Sequence, residues 1–201
     1  EDLVSHWESR QEFLTGKAMV VCMSRSICVD LYDEIVSLRP DWHDDDPAKG
    51  KIKVVITSAA NDPPELVKHS HSRDTMRTLK KRAKDPNDEL EIVIVRDMWL
   101  TGFDAPVMNT MYVDKPMKGH SLMQAIARVN RTFRDKEGGL IVDYIGMAEN
   151  LREAVAQYTR DDQDKAGIDT SKFANVALEK HDVVKGILAG VDWSSDPSAS
   201  R

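Results

Sequence analysis

The chain has 201 residues, 41% hydrophobic and 31% charged, with a net charge of −6 at pH 7. That length suits one medium α/β domain with an appendage, or two small domains, and the charge excludes a wholly basic nucleic-acid binder while leaving local basic stretches free to meet phosphate. No apolar run approaches the ~18 residues that span a bilayer and no secretory leader is visible, so a cytoplasmic protein without a membrane segment is expected; the opening at Glu1 rather than Met predicts a piece of a longer chain.

Residues 1–14 alternate charged and apolar positions at helical spacing, with Leu3, Trp7, Phe13 and Leu14 as the expected inward contacts and Gly16 as the stop. Residues 18–23 are a short continuous apolar run, the mark of a strand buried on both faces of a parallel sheet. Ser24, Arg25 and Ser26 follow as a loop, after which Ile27, Leu31, Ile35 and Leu38 recur at helical period until Pro40. Cys22 and Cys28 read as two buried thiols, because zinc sites usually need four ligands and closer cysteine spacing. Residues 41–51 are loop-like. The run Asp44, Asp45, Asp46 lacks the glycine-punctuated spacing of a calcium loop, so a solvated turn is expected there.

Residues 52–57 form the second strand, and Asn61, Asp62, Pro63 and Pro64 break the chain. Residues 65–84 read as one or two helices carrying Arg73, Arg77, Lys80, Lys81, Arg82 and Lys84, the clearest basic patch in the sequence. It is either a solvated helix face or a contact for phosphate backbone. His69 and His71 stand two apart with no neighbouring cysteine or third histidine to complete a metal site.

Residues 91–95, 109–113 and 140–145 supply the third, fourth and fifth strands, the last turned in by Gly138 and Gly139. Between the fourth and fifth lies a helix on which Gln124, Arg128 and Arg131 share one face and Leu122, Ile126 and Val129 the other. Guanidinium forks are permanently charged and suit phosphate oxygens; two solvated arginines on an amphipathic helix is the plainer alternative, and Ser121 with Gln124 also fits a capping box. From about 147 to 190 the pattern is helical, and residues 194–201 are small and polar.

Strands alternating with helices predict an α/β fold, a parallel sheet of about five or more strands with helices on both faces. We assign residues 1–150 to that domain and 151–201 to a C-terminal helical extension. Ligands of such sheets collect beyond the carboxyl ends of the strands. Ser24 and Arg25, Thr57 and Ser58, the segment from Arg96 to Asp104, and Arg128 with Arg131 all fall there. A phosphate-rich ligand suits that edge, yet the phosphate-cradling P-loop is missing: Gly16-Lys17 is followed by Ala18 and Gly50-Lys51 by Ile52. No acidic pair ends an apolar strand to hold magnesium. Arginines for a nucleotide without a cradle for one is the pattern of half a two-domain motor.

The runs at 95–106, 111–120 and 122–131 together resemble the restriction (motor) subunit of type I restriction–modification enzymes, a superfamily 2 helicase-like translocase, over roughly residues 15–150. The resemblance implies a second RecA-like domain. It makes Arg128 and Arg131 the catalytic arginine pair that reaches ATP held by the first motor domain, with Gln124 opening the same motif. It makes Gly102 and Asp104 a nucleotide-side motif, and Ser24, Arg25, Thr57, Ser58, Arg96 and Thr101 nucleic-acid backbone contacts. Ala127 and Asn130 stand where many helicases carry glycines, a departure that suits this family rather than strand-separating relatives. The implied cofactor is ATP with Mg²⁺, bound mainly by the absent first domain, with no metal ligand in this chain. The implied partners are double-stranded DNA, the first RecA-like and nuclease domains of the same subunit, and the modification and specificity subunits. ATP-driven closure would then pump duplex DNA, and the piece alone would lack ATPase and nuclease activity. Two other readings stay open: a domain from another superfamily 2 DNA or RNA helicase, and a non-enzymatic phosphate-binding or interaction domain in which the basic 73–84 segment matters more.

Overall fold

Among the described residues, apolar runs rich in β-branched residues form five strands: β1 (Lys17–Cys22), β2 (Ile52–Val55), β3 (Ile92–Val95), β4 (Met108–Asp114) and β5 (Leu140–Asp143). The helices before and between them are α1 (Asp2–Phe13), α2 (Arg25–Leu38), α3 (Pro64–Val67), α4 (Arg73–Lys84) and α5 (Gly119–Val129). This computed structural model describes residues 1–129, 139–146 and 156. The chain divides into two compact units, Glu1–Leu151 and Arg152–Arg201, and all the described residues but Ala156 belong to the first. The expected helical pattern over 147–190 and the polar end at 194–201 therefore lie, Ala156 apart, outside the described residues.

All strand pairings are parallel, in the order β2-β3-β1-β4-β5. The expected α/β architecture is present. Central β1 is buried at every position, as are β2 and β3, because helices cover both faces. Side chains alternate along a strand, so Ala18, Val20, Cys22, Ile52, Val54, Ile92, Ile94 and Tyr112 share one core with Leu3, Val4 and Trp7 of α1 and with Cys28, Val29, Tyr32 and Ile35 of α2. Chain crossovers leave β1 in one direction and β2 and β4 in the other, and the right-handed rule then puts α4 and α5 on the opposite face from α2. Each fully buried aliphatic or aromatic side chain in these layers contributes on the order of 1.5–3 kcal/mol.

The inward face of α1 is Leu3, Val4 and Trp7; Phe13, expected inside, is 87% exposed and Leu14 half-buried. The polar side of α1 explains the rotation. Trp7 Nε1 donates to Glu91 at 3.0 Å, Arg10 Nε donates to the Thr110 hydroxyl at 2.7 Å, and His6 Nδ1 meets the Tyr112 hydroxyl at 2.7 Å. Those bonds fix which stripe of α1 faces the sheet and leave Phe13 beyond its reach.

Three cations are buried near the amino ends of the strands. Lys17 Nζ donates to the carbonyls of Arg82, Asp88 and Leu90, and Lys53 Nζ to those of Asp44 and Asp46. Arg82 is 5% exposed; it pairs with Asp88 at 2.9 Å and donates to the carbonyls of Pro47, Lys49 and Gly50. Arg82 is thus a brace in the interior and not part of a surface patch. The Asp44–46 run is a turn held by its own carboxylates, Asp44 accepting from the Asp46 amide and Asp46 from the Ala48 amide, each at 2.8 Å. Cys22 and Cys28 are buried free thiols. Among the described residues no helix is long and apolar enough to cross a membrane.

Candidate functional site at the carboxyl edge of the sheet

Because every strand runs the same way, the segments that follow β1, β2, β3 and β4 emerge on one edge. After β1 the chain turns into α2 at Ser24, whose hydroxyl oxygen accepts from the Ile27 amide at 3.1 Å as the N-cap. The helix starts at Arg25, so the residues read as loop are already its first turn. Arg25 points across to the segment after β2. Its fork pairs with both oxygens of Asp62 at 2.6 Å and donates to the Thr57 carbonyl at 2.8 Å. Arg25, and after it the Ala59 amide, hold the Asp62 carboxyl below the usual carboxylate range.

Thr57 and Ser58 are exposed and line a cavity of about 420 Å³ together with His71, Ser72, Arg73, Met76 and Met98. Ser72 caps α4 by accepting from the Thr75 amide at 3.1 Å, and the His71 ring is fixed to the Val54 carbonyl at 2.9 Å. Three hydroxyls, a guanidinium and the start of a twelve-residue helix around one opening make surroundings suited to an anion.

The segment after β3 is anchored by aromatic rings. Trp99 and Phe103 are buried and stacked at 4.4 Å, and Lys84 Nζ lies 5.6 Å over the Phe103 ring. Trp99 has φ +68° and Gly102 φ +67°, the left-handed region that costs a side-chain-bearing residue energy. Those two reversals push Thr101, Gly102 and Asp104 outward while the rings stay in. Arg96 donates through Nε to the Met23 carbonyl at 3.3 Å and pairs with Asp97 at 2.6 Å. Lys115, after β4, reaches Asp97 and donates to the Arg96 carbonyl at 3.2 Å. The exits of β1, β3 and β4 are therefore stitched together by charge.

α5 buries Leu122, Ala125 and Val129, with Ile126 only half-buried, so the inward stripe runs through Ala125 instead. α5 starts at Gly119, which puts Ser121 inside the helix; its hydroxyl donates to the Lys118 carbonyl at 2.8 Å and forms no capping box. Gln124 is half-buried on α5, and Arg128 lies four residues further along the same helix. Arg131 lies outside the described residues.

The edge thus brings together Ser24, Arg25, Thr57, Ser58, Arg96, Thr101, Gly102 and Asp104. Sequence reasoning missed Asp62, Asp97 and Lys115, the counter-charges that organise it. Asp62 was legible only as part of a chain break, since a partner 37 positions from Arg25 leaves no periodic signal.

The model of type I restriction enzyme subunit R domain 3 matches residues 43–146. The type I restriction enzyme HindI endonuclease subunit of Haemophilus influenzae is 60% identical over 161 residues, 79% of this chain and 15% of that protein. A Methanocaldococcus jannaschii protein bearing the name of the type I restriction enzyme MjaIXP endonuclease subunit is 46% identical over 160 residues, again 79% of this chain and 15% of the other. The chain therefore spans 15% of the length of these curated relatives. A solved fragment from Vibrio vulnificus bearing the name of a type I restriction HsdR subunit aligns with a TM-score of 0.46 and 16% identity, covering 76% of this chain and 27% of that one.

Proposed function

Since the chain belongs to the family of type I restriction enzyme subunit R domain 3, we propose that it is the second, RecA-like motor domain of an ATP-dependent translocase of double-stranded DNA. The observation that carries this reading is the single edge on which exposed Thr57, Ser58, Thr101, Gly102 and Asp104 gather beside Arg96. In the full subunit the first motor domain holds ATP and Mg²⁺ and faces this edge. Gly102, Asp104 and Gln124 orient the nucleotide from this side. The positive φ at Gly102 and the exposed carboxylate two residues on suit a close approach to a ribose. Arg128 and Arg131 neutralise the charge that develops on the transferred phosphoryl group, as guanidiniums do in related chemistry.

DNA lies along the hydroxyls of Ser24, Thr57, Ser58 and Thr101 and the guanidinium of Arg96. Contacts of this kind grip the backbone without reading sequence, so the recognition site is chosen by the specificity subunit, with the modification subunit as the other partner. Closing and opening of the two motor domains moves one grip relative to the other.

Arg128→Ala and Arg131→Ala, made separately in the full-length subunit, are expected to lower DNA-stimulated ATP hydrolysis by about a thousandfold or more while leaving duplex binding in place. Phosphate release under saturating ATP measures this. Undiminished turnover in both variants would remove the arginine assignment.

A further inference from the structure

Arg25 stands where a backbone-gripping motor would place a hand on DNA, yet its fork is engaged within the protein. NH1 and NH2 hold both oxygens of Asp62 at 2.6 Å, and NH1 also donates to the Thr57 carbonyl at 2.8 Å. The Asp62 side chain is 4% exposed and that of Arg25 25%. The same Asp62 Oδ2 that meets Arg25 accepts from the Ala59 amide at 2.6 Å. One ion pair therefore fixes the residue before Ser58 and the residue after it. Since β3 lies between β1 and β2, the pair also ties the exits of two strands that do not touch.

We propose that Arg25 and Asp62 are a positioning pair that holds the Thr57 and Ser58 hydroxyls at the rim of the 420 Å³ cavity, where those hydroxyls, with Arg73, receive a DNA-backbone phosphate. The inference rests on reading this edge as the DNA surface. A phosphate approaching Arg25 would have to displace a carboxylate already held by two charge-assisted bonds, among the strong partners of a guanidinium. The displaced Asp62 would lose both charge-assisted bonds from Arg25 and keep the Ala59 amide. Neither penalty arises if Arg25 keeps Asp62 and the turn it braces makes the contact. Lysine at position 25 could supply the charge but not the fork.

The test uses the full-length subunit assembled with its partners and a short non-specific duplex, with affinity measured across a range of salt concentrations. A bound phosphate contributes about 0.9 to the slope of log affinity against log salt. Asp62→Asn and Arg25→Ala are each expected to weaken binding about tenfold, the double variant no more than either alone, as for residues acting as one unit. The salt slope is expected to stay that of the wild type, and Thr57→Val with Ser58→Ala to weaken binding likewise. Arg25→Lys keeps the charge without the fork and is expected to weaken binding in the same way at an unchanged salt slope; it carries the test if Arg25→Ala fails to fold.

The proposal is overturned if Asp62→Asn leaves binding unchanged or tightens it while Arg25→Ala lowers the slope by about 0.9, for then Arg25 is itself the phosphate contact and Asp62 its competitor. It is equally overturned if Arg25→Lys melts and binds like the wild type, for then a charge without the fork suffices at this position. Should Thr57→Val with Ser58→Ala change nothing, the reading of this edge as the DNA surface falls, and the positioning role falls with it.

Discussion

His69 is 7% exposed, packs edge-on against Tyr32 with ring centroids 4.8 Å apart, and its Nε2 has no hydrogen-bond partner among the described residues. Burial, reinforced by Lys68, pushes its pKa down to about 4 from an ordinary 6.5. Above pH 6.5 both folded and unfolded chains carry the ring neutral. Between 6.5 and about 4 only the unfolded chain takes up the proton, so stability falls as pH falls, by about 3 kcal/mol in all. Urea melts at pH 7 and pH 5 should show about 2 kcal/mol of this drop in the wild type and a smaller one in His69→Leu. Equal pH dependence in the two proteins would show that the ring is not the sensor. Gly139 makes a different point at the same scale. A Cβ there would sit 2.2 Å from the Val129 carbonyl oxygen, backbone that cannot swing aside. Gly139→Ala is accordingly expected to cost about 1–3 kcal/mol, read as a lower melting temperature. The Gly138-Gly139 pair was legible as a turn, but its tight fit beneath α5 was not, because close approach leaves no mark in composition.

At the scale of the element, α4 changes meaning most. Its sequence offers Arg73, Arg77, Lys80, Lys81, Arg82 and Lys84 as one basic patch. In the fold Arg82 is inside, holding three carbonyls and Asp88, and Lys84 sits over Phe103. Arg77 instead pairs with Asp74 in water, the side chains 81% and 86% exposed. Arg82→Ala is therefore expected to destabilise the domain by about 2–4 kcal/mol, since it removes the donor to three carbonyls and leaves the half-buried Asp88 carboxylate with the Leu90 amide. Arg77→Ala should stay within about 0.5 kcal/mol of the wild type. Denaturant midpoints for the two variants, side by side, check the contrast; similar losses would mean the brace is not what Arg82 provides. The loop after β3 follows the same logic. Its motif was legible as residue types, whereas the Trp99–Phe103 stack that turns Gly102 and Asp104 outward depends on a left-handed Trp99, which no side-chain preference foretells.

For the whole molecule, the absent P-loop sets the expected behaviour. The isolated 201-residue chain should hydrolyse no ATP above the buffer rate, with or without duplex DNA, and a phosphate-release assay at high protein concentration decides it. Turnover by the isolated chain would mean that it contains a complete nucleotide site. The five strands, their parallel sense and the common edge of their exits were legible in the sequence, because period-two burial and uninterrupted apolar runs are local properties that each strand carries by itself. Likewise Gln124 and Arg128 could be placed on one helix from spacing alone. Only the tertiary structure decided which charges face water and which face one another. Arg25 with Asp62, Lys115 with Asp97 and Arg82 with Asp88 are chosen by strand order and crossover geometry. A guanidinium reads the same in sequence whether it awaits a phosphate or already holds a carboxylate, and the difference lies in what the fold brings within about 3 Å of it.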